Sequence, residues 1–185
     1  MVLDSGTTLT YLPPDLVNTI ISQLGAVDTD YSDLIFVDCD WRTTRPNDSI
    51  SFGFGDSNGP VIQVPLSEFI RTITGYYPDS PFMNTCDLGM RAADLSTYIL
   101  GDTFLRSAYV VYDLDHNQIA LAQTNFEATG IQVHEIPLGA SGIPLLSGQA
   151  SGLTQVRKAI LLPSRLLRAP EPRLIWILRL LQRQH

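Results

Sequence analysis

Apolar positions along this 185-residue chain recur with two periods. Leu16, Val17, Ile20, Ile21 and Leu24 follow Pro13-Pro14-Asp15 at helical spacing, and Gly25 is placed to stop the helix. Elsewhere the apolar runs are short. Leu34-Ile35-Phe36-Val37 predicts a strand ending at Cys39. Ile50, Phe52 and Phe54 alternate with Ser51 and Gly53, which predicts a half-buried strand. The turn residues 56–60 and the returning run 61–64 complete a hairpin. Residues 66–70 follow a proline and fit either a strand or a short turn, and 75–81 read as loop. Tyr98 to Asp102 is an apolar run broken by Gly101. Ala108–Asp113 and Gln118–Ala122 predict two strands around the turn Asp115-His116-Asn117. Short strands with frequent turn residues predict an all-β body with one or two short helices.

Charge divides the chain in two. Residues 1–152 hold five Arg and eighteen Asp or Glu; residues 153–185 hold six Arg, one Lys and one Glu. The acidic body lacks the clustered cations that nucleic-acid phosphates require. Residues 138–152 are rich in Gly, Ser, Ala and Pro and read as a flexible linker. The basic tail, 153–185, is interrupted by Pro163, Pro170 and Pro172, which predicts poor order with at most one or two helical turns. Its apolar run 174–178 is far short of the ~20 residues of a membrane span. A basic helix lying on a membrane surface is the weaker alternative.

Candidate chemistry concentrates in Asp4-Ser5-Gly6-Thr7-Thr8. Glycine permits a tight turn, and the hydroxyls can hydrogen-bond and orient one carboxylate. His116, His134 and His185 lack metal-ligand spacing, and no phosphate loop or nucleophile elbow is present. No metal and no cofactor is therefore expected. Cys39 and Cys86 fit one bridge or two buried thiols equally well. Asn47-Asp48-Ser49 is a glycosylation sequon with Asn47 as acceptor.

The ordered set formed by Asp4–Thr8, Ile99-Leu100-Gly101-Asp102 and the intervening cysteine pair resembles the C-terminal lobe of a pepsin-like aspartic protease. Residues 98–113 and 117–122 look like the end of that lobe, and Asp4 to Val17 is most similar to secreted, yapsin-like fungal members. The resemblance covers residues 2–137. It implies that Asp4 is one of two catalytic aspartates, with Ser5 in the grip joining the two catalytic loops. Gly6 would support the turn, Thr7 would steady the outer carboxylate oxygen, and Thr8 would contact substrate. The resemblance implies a Cys39–Cys86 disulfide, a peptide or protein substrate, and secretion or a cell-surface location.

No second Asp-Ser-Gly or Asp-Thr-Gly triplet occurs, and Asp102 and Asp87 lack the required turn chemistry. A family member would carry the other motif in an N-terminal lobe. No export signal opens the chain, and the tail matches neither a Ser/Thr-rich stalk nor an anchor signal. These departures predict a truncated or misassembled product, inactive without an N-terminal lobe. Two other readings are a single-motif homodimeric protease and a non-catalytic half-cleft that binds peptides.

Overall fold

The computed structural model describes residues 1–29, 33–54, 59–93, 97–115 and 117–130, and the backbone of 154–157 and 179–180. In chain order the elements are β1 (Val2–Leu3), β2 (Thr10–Leu12), α1 (Pro14–Leu24), β3 (Val27–Asp28), β4 (Ile35–Asp38) and α2 (Trp41–Thr44). Then come β5 (Ser49–Gly53), β6 (Val61–Pro65), α3 (Leu66–Phe69), β7 (Ile70–Thr72), β8 (Thr85–Leu88), β9 (Met90–Ala92) and β10 (Ile99–Leu100). The series ends with α4 (Asp102–Leu105), β11 (Ala108–Asp113), β12 (Gln118–Gln123), β13 (Thr154–Arg157) and β14 (Arg179–Leu180). This is an all-β body with short helices, as the strand pattern predicts, and it fits the pepsin-like lobe that the resemblance implies.

The chain divides into two compact units. The first comprises residues 1–50, 64–107 and 180–185 and contains two four-stranded sheets. One sheet has the order β1-β10-β2-β9; the other runs β3-β4-β8-β7. Helix α1 begins with proline at its first position, where the missing amide costs nothing. It buries Val17, Ile20 and Leu24 and stops at Gly25, whose φ of 74° suits a residue without a Cβ. β4 buries Ile35, Phe36 and Val37 in succession, so both of its faces are covered. The second unit, residues 51–63 and 108–179, contains the β11–β12 hairpin, paired in register from Ala108↔Gln123 to Asp113↔Gln118. Residues 154–157 add an antiparallel third strand to β12.

One detail differs from the sequence expectation. Ser51 is buried along with Ile50 and Phe52, so β5 lacks the solvent face that strict alternation implied. Leu66–Phe69 form a single helical turn, the second of the two alternatives the sequence left open, and pass directly into β7 at Ile70. Of the basic tail, the described residues 154–157 and 179–180 form two short strands. The linker 138–152, most of the hairpin turn at 55–58, and His116, His134 and His185 lie outside the described residues.

Cys39 and Cys86 are bonded, closing a loop with a sequence separation of 47. This resolves the two readings that cysteine count alone left open. Among the described residues no helix is long and apolar enough to cross a membrane, and no cluster of His, Cys, Asp and Glu could hold a metal ion.

Candidate active site

The site starts from strand pairing between distant segments. β1 runs parallel to β10 in the register Val2↔Ile99 and Leu3↔Leu100. The Asp4 amide extends this ladder by donating to the Leu100 carbonyl at 3.1 Å. The chain then leaves the sheet as a turn in which the Thr7 amide donates to the Asp4 carbonyl at 3.3 Å. It returns at Thr10 as β2, which lies between β10 and β9. The pentapeptide is thus a loop held at both ends by one sheet.

Within that loop each oxygen of the Asp4 carboxylate has its own donor. The Thr7 hydroxyl donates to Oδ2 at 2.6 Å, and the Gly6 amide donates to Oδ1 at 2.9 Å. Hydrogen bonds to the ionised form favour it. The Thr7 hydroxyl first, and the Gly6 amide second, therefore hold the Asp4 carboxyl below its ordinary range, with desolvation working the other way. Asp4 and Thr7 are half-buried; Ser5, Gly6 and Thr8 are exposed. The fold gathers all five predicted residues at one surface loop.

The far side of the loop is braced by the start of α4. The Asp102 amide donates to the Thr7 carbonyl at 2.8 Å, and the Thr103 amide donates to the Thr8 carbonyl at 3.1 Å. Gly101 makes this approach sterically feasible. A Cβ there would fall well inside contact distance of the carbonyl oxygens of Thr7 and Leu9. Leu100 and Gly101 thus lie directly behind the loop, and the glycine's role is close backbone approach.

The remaining predicted positions lie elsewhere. Asn47 is exposed in the turn between α2 and β5. Asp102 is at the surface, with its carboxylate 3.6 Å from Arg106. Arg106 also meets Glu68 at 2.8 Å.

Sequence reasoning missed two features of this unit. Asp87 is fully buried between Arg71 at 3.0 Å and Arg91 at 2.8 Å, and it accepts the Ile35 amide at 3.1 Å. The second feature is a buried hydroxyl pair, Thr10 and Thr103, whose Oγ1 atoms are 2.9 Å apart. The only available signal was a polar residue inside each of two apolar runs, and such residues are common at surfaces.

Comparison with known proteins gives a consistent result. The eukaryotic aspartyl protease model matches residues 1–124. The chain is 37% identical over 163 residues to the "Probable aspartic-type endopeptidase opsB" of Aspergillus oryzae, covering 86% of this chain and 30% of that protein. It is 35% identical over 173 residues to the protein called "Probable aspartic-type endopeptidase OPSB" in Trichophyton verrucosum, covering 88% of this chain and 33% of that one. It is 41% identical over 129 residues to "Secreted aspartic protease 3" of Candida albicans, covering 68% of this chain and 30% of that protein. The chain thus spans about a third of the length of the curated relatives it matches. The doubly held Asp4, the glycine-backed loop and the family match over residues 1–124 agree: the chain belongs to the eukaryotic aspartyl protease family.

Proposed function

We propose that this chain carries one half of the catalytic apparatus of an aspartic endopeptidase, with Asp4 as a catalytic carboxylate. The observation that carries this reading is the grip on Asp4, in which Thr7 and Gly6 each fix one carboxylate oxygen. A carboxylate held ionised in this way suits proton abstraction from water. Gly6 and Thr7 act as supports of the carboxylate. Ser5 joins the grip between two catalytic loops, and the exposed Thr8 contacts substrate.

The other carboxylate comes from a second lobe. Two close carboxylates do not both ionise readily, so the pair shares one proton and titrates as a unit. The ionised member takes a proton from water, whose oxygen forms a bond to the peptide carbonyl carbon. The protonated member gives its proton to the carbonyl oxygen. Collapse of the tetrahedral species breaks the C–N bond, with a proton passing to the leaving amine. This chemistry calls for no metal, cofactor or covalent intermediate. The substrate is a peptide or protein, and the chain by itself is inactive.

We also place the protein outside the cell or at its surface. The disulfide suits an oxidising compartment, and one relative is named as secreted. Asn47, exposed in its turn, is then the glycosylation acceptor.

The test is cleavage of a fluorogenic peptide at acid pH by residues 1–185, alone and fused behind the N-terminal lobe of a fungal relative. No cleavage alone, with cleavage by the fusion that Asp4→Asn abolishes, is expected. A fusion that binds substrate yet cleaves equally with Asn at position 4 overturns the assignment. Cleavage by a dimer of the chain alone supports the homodimeric reading. Peptide binding without cleavage in either form supports the half-cleft reading.

A further inference from the structure

The hydroxyl pair of Thr10 and Thr103 sits in the one place where the three segments bearing on the Asp4 loop converge. Thr10 opens β2 on the return side of the loop, and Thr103 lies in the first turn of α4. Gly89 forms the corner between β8 and β9. Thr10 and Thr103 are both essentially inaccessible to solvent, at 0% and 1% exposure. The Thr103 hydroxyl donates to the Gly89 carbonyl at 3.0 Å, and that carbonyl also accepts the Thr10 amide at 3.1 Å. With its proton so directed, the Thr103 oxygen accepts from the Thr10 hydroxyl, 2.9 Å away.

No atom of this cluster could be shifted cheaply. Gly89 donates its amide to the Phe69 carbonyl at 2.6 Å, and a Cβ there would lie 2.6 Å from the Thr103 methyl. The side of Thr103 facing the loop is its backbone, whose amide holds the Thr8 carbonyl. Rotation of Thr103 would therefore pull on Thr8, and with it on Thr7, the residue that orients the Asp4 carboxylate.

We propose that Thr103, locked by its buried hydrogen bonds to Gly89 and Thr10, is a positioning residue that fixes the Asp4 loop from behind. It touches neither Asp4 nor any reacting atom; it acts through the backbone of Thr8 and the side chain of Thr7. Two apolar side chains would fill the same space without directional bonds. The hydroxyls therefore contribute orientation as well as packing, since a buried hydroxyl pair is retained only when its partners are in place. The inference rests on Asp4 being the functional carboxylate, but its test does not depend on cleavage.

The measurement is the carboxyl-carbon NMR titration of Asp4 in the full 185-residue chain. Thr103→Val keeps the side-chain shape and removes the hydroxyl. The expected result is a shift of the Asp4 midpoint upward, toward that of Thr7→Val, with Thr103→Ser restoring the original midpoint. The single valine leaves the Thr10 hydroxyl unpaired, so T10V/T103V is measured beside it. That pair refills the site with two apolar side chains and should show the same upward shift. The inference is overturned if either folded valine variant titrates Asp4 as the unsubstituted chain does. It is also overturned if Thr103→Ser shifts the midpoint as far as Thr103→Val. A fusion to an N-terminal lobe that fails to cleave while these shifts appear would count against Asp4 as catalyst and not against the positioning role.

Discussion

Asp87→Asn should be among the most destabilising single substitutions in this chain, although Asp87 has no part in the proposed chemistry. The change is nearly isosteric and removes one charge. The Asp87 carboxylate has 0% exposure and serves Arg71, Arg91 and the Ile35 amide together. Removing one partner of a buried ion pair costs about 3–5 kcal/mol, because the charge left behind stays desolvated. Two structural facts set where this site falls in that range. Arg71 retains 36% exposure and can recover hydration, whereas Arg91 has only 13%. Arg91 also donates to the Leu88 and Met90 carbonyls, both at 2.6 Å, so part of its hydrogen bonding survives. The expected loss is therefore about 3 kcal/mol, at the lower end. Urea denaturation followed by tryptophan fluorescence measures it. Glu68→Gln provides the contrast, since Glu68 and Arg106 are 25% and 46% exposed. Its loss should stay below about 1 kcal/mol and shrink in salt, while that of Asp87→Asn should persist at high salt. A loss under about 1 kcal/mol for Asp87→Asn, or salt sensitivity equal to that of Glu68→Gln, would refute the reasoning.

Three further outcomes are expected. Replacing both Cys39 and Cys86 with serine should cost about 4 kcal/mol in the chain-entropy treatment of a 47-residue separation, read as a lowered urea midpoint. Gly101→Ala forces a methyl against two backbone carbonyls and should cost about 1–3 kcal/mol, with the Asp102 and Thr103 amides losing hydrogen-exchange protection. Asp4 titrates below its unfolded value, so its grip stabilises the fold above that value, and the contribution fades as pH falls through the folded midpoint. Comparing urea midpoints across the acid range should show a larger acid-dependent component for the unsubstituted chain than for Thr7→Val, which keeps only the weaker Gly6 amide bond.

The sequence was most informative where one residue type serves one backbone demand. Proline at the start of α1 and Gly25 at its end bracket the helix, and the apolar runs 108–113 and 118–122 around a turn mark two strands that the structure pairs as a hairpin. The candidate loop was legible because Asp4–Thr8 stands in an ordered set with the cysteine pair and Ile99–Asp102 that resembles one family. What could not be read was the pairing of distant segments. Two-residue strands such as β1 and β10 have no measurable periodicity; β1 exists through its pairing with β10, and β10 through its pairing with β1 and β2. Asp87 was passed over because its burial depends on Arg71 arriving from β7, which no local pattern encodes, and on Arg91, four residues on, turning back toward it. Ser51 was placed on a solvent face because alternation assumes one covered side.

The pairing of β1 with β10 also has a consequence in time. Thr10 and Thr103 are 93 residues apart, and the loop bearing Asp4 lies at the early end of that span. At a synthesis rate of roughly 5–20 residues per second, the brace behind Asp4 emerges roughly 5–20 s after the acid itself. During that interval the nascent chain carries Asp4 as an ordinary solvated carboxylate, with no strand to anchor it. A ribosome stalled before residue 103 would hold a chain with the whole Asp4–Thr8 motif and without the Thr103 amide that braces it.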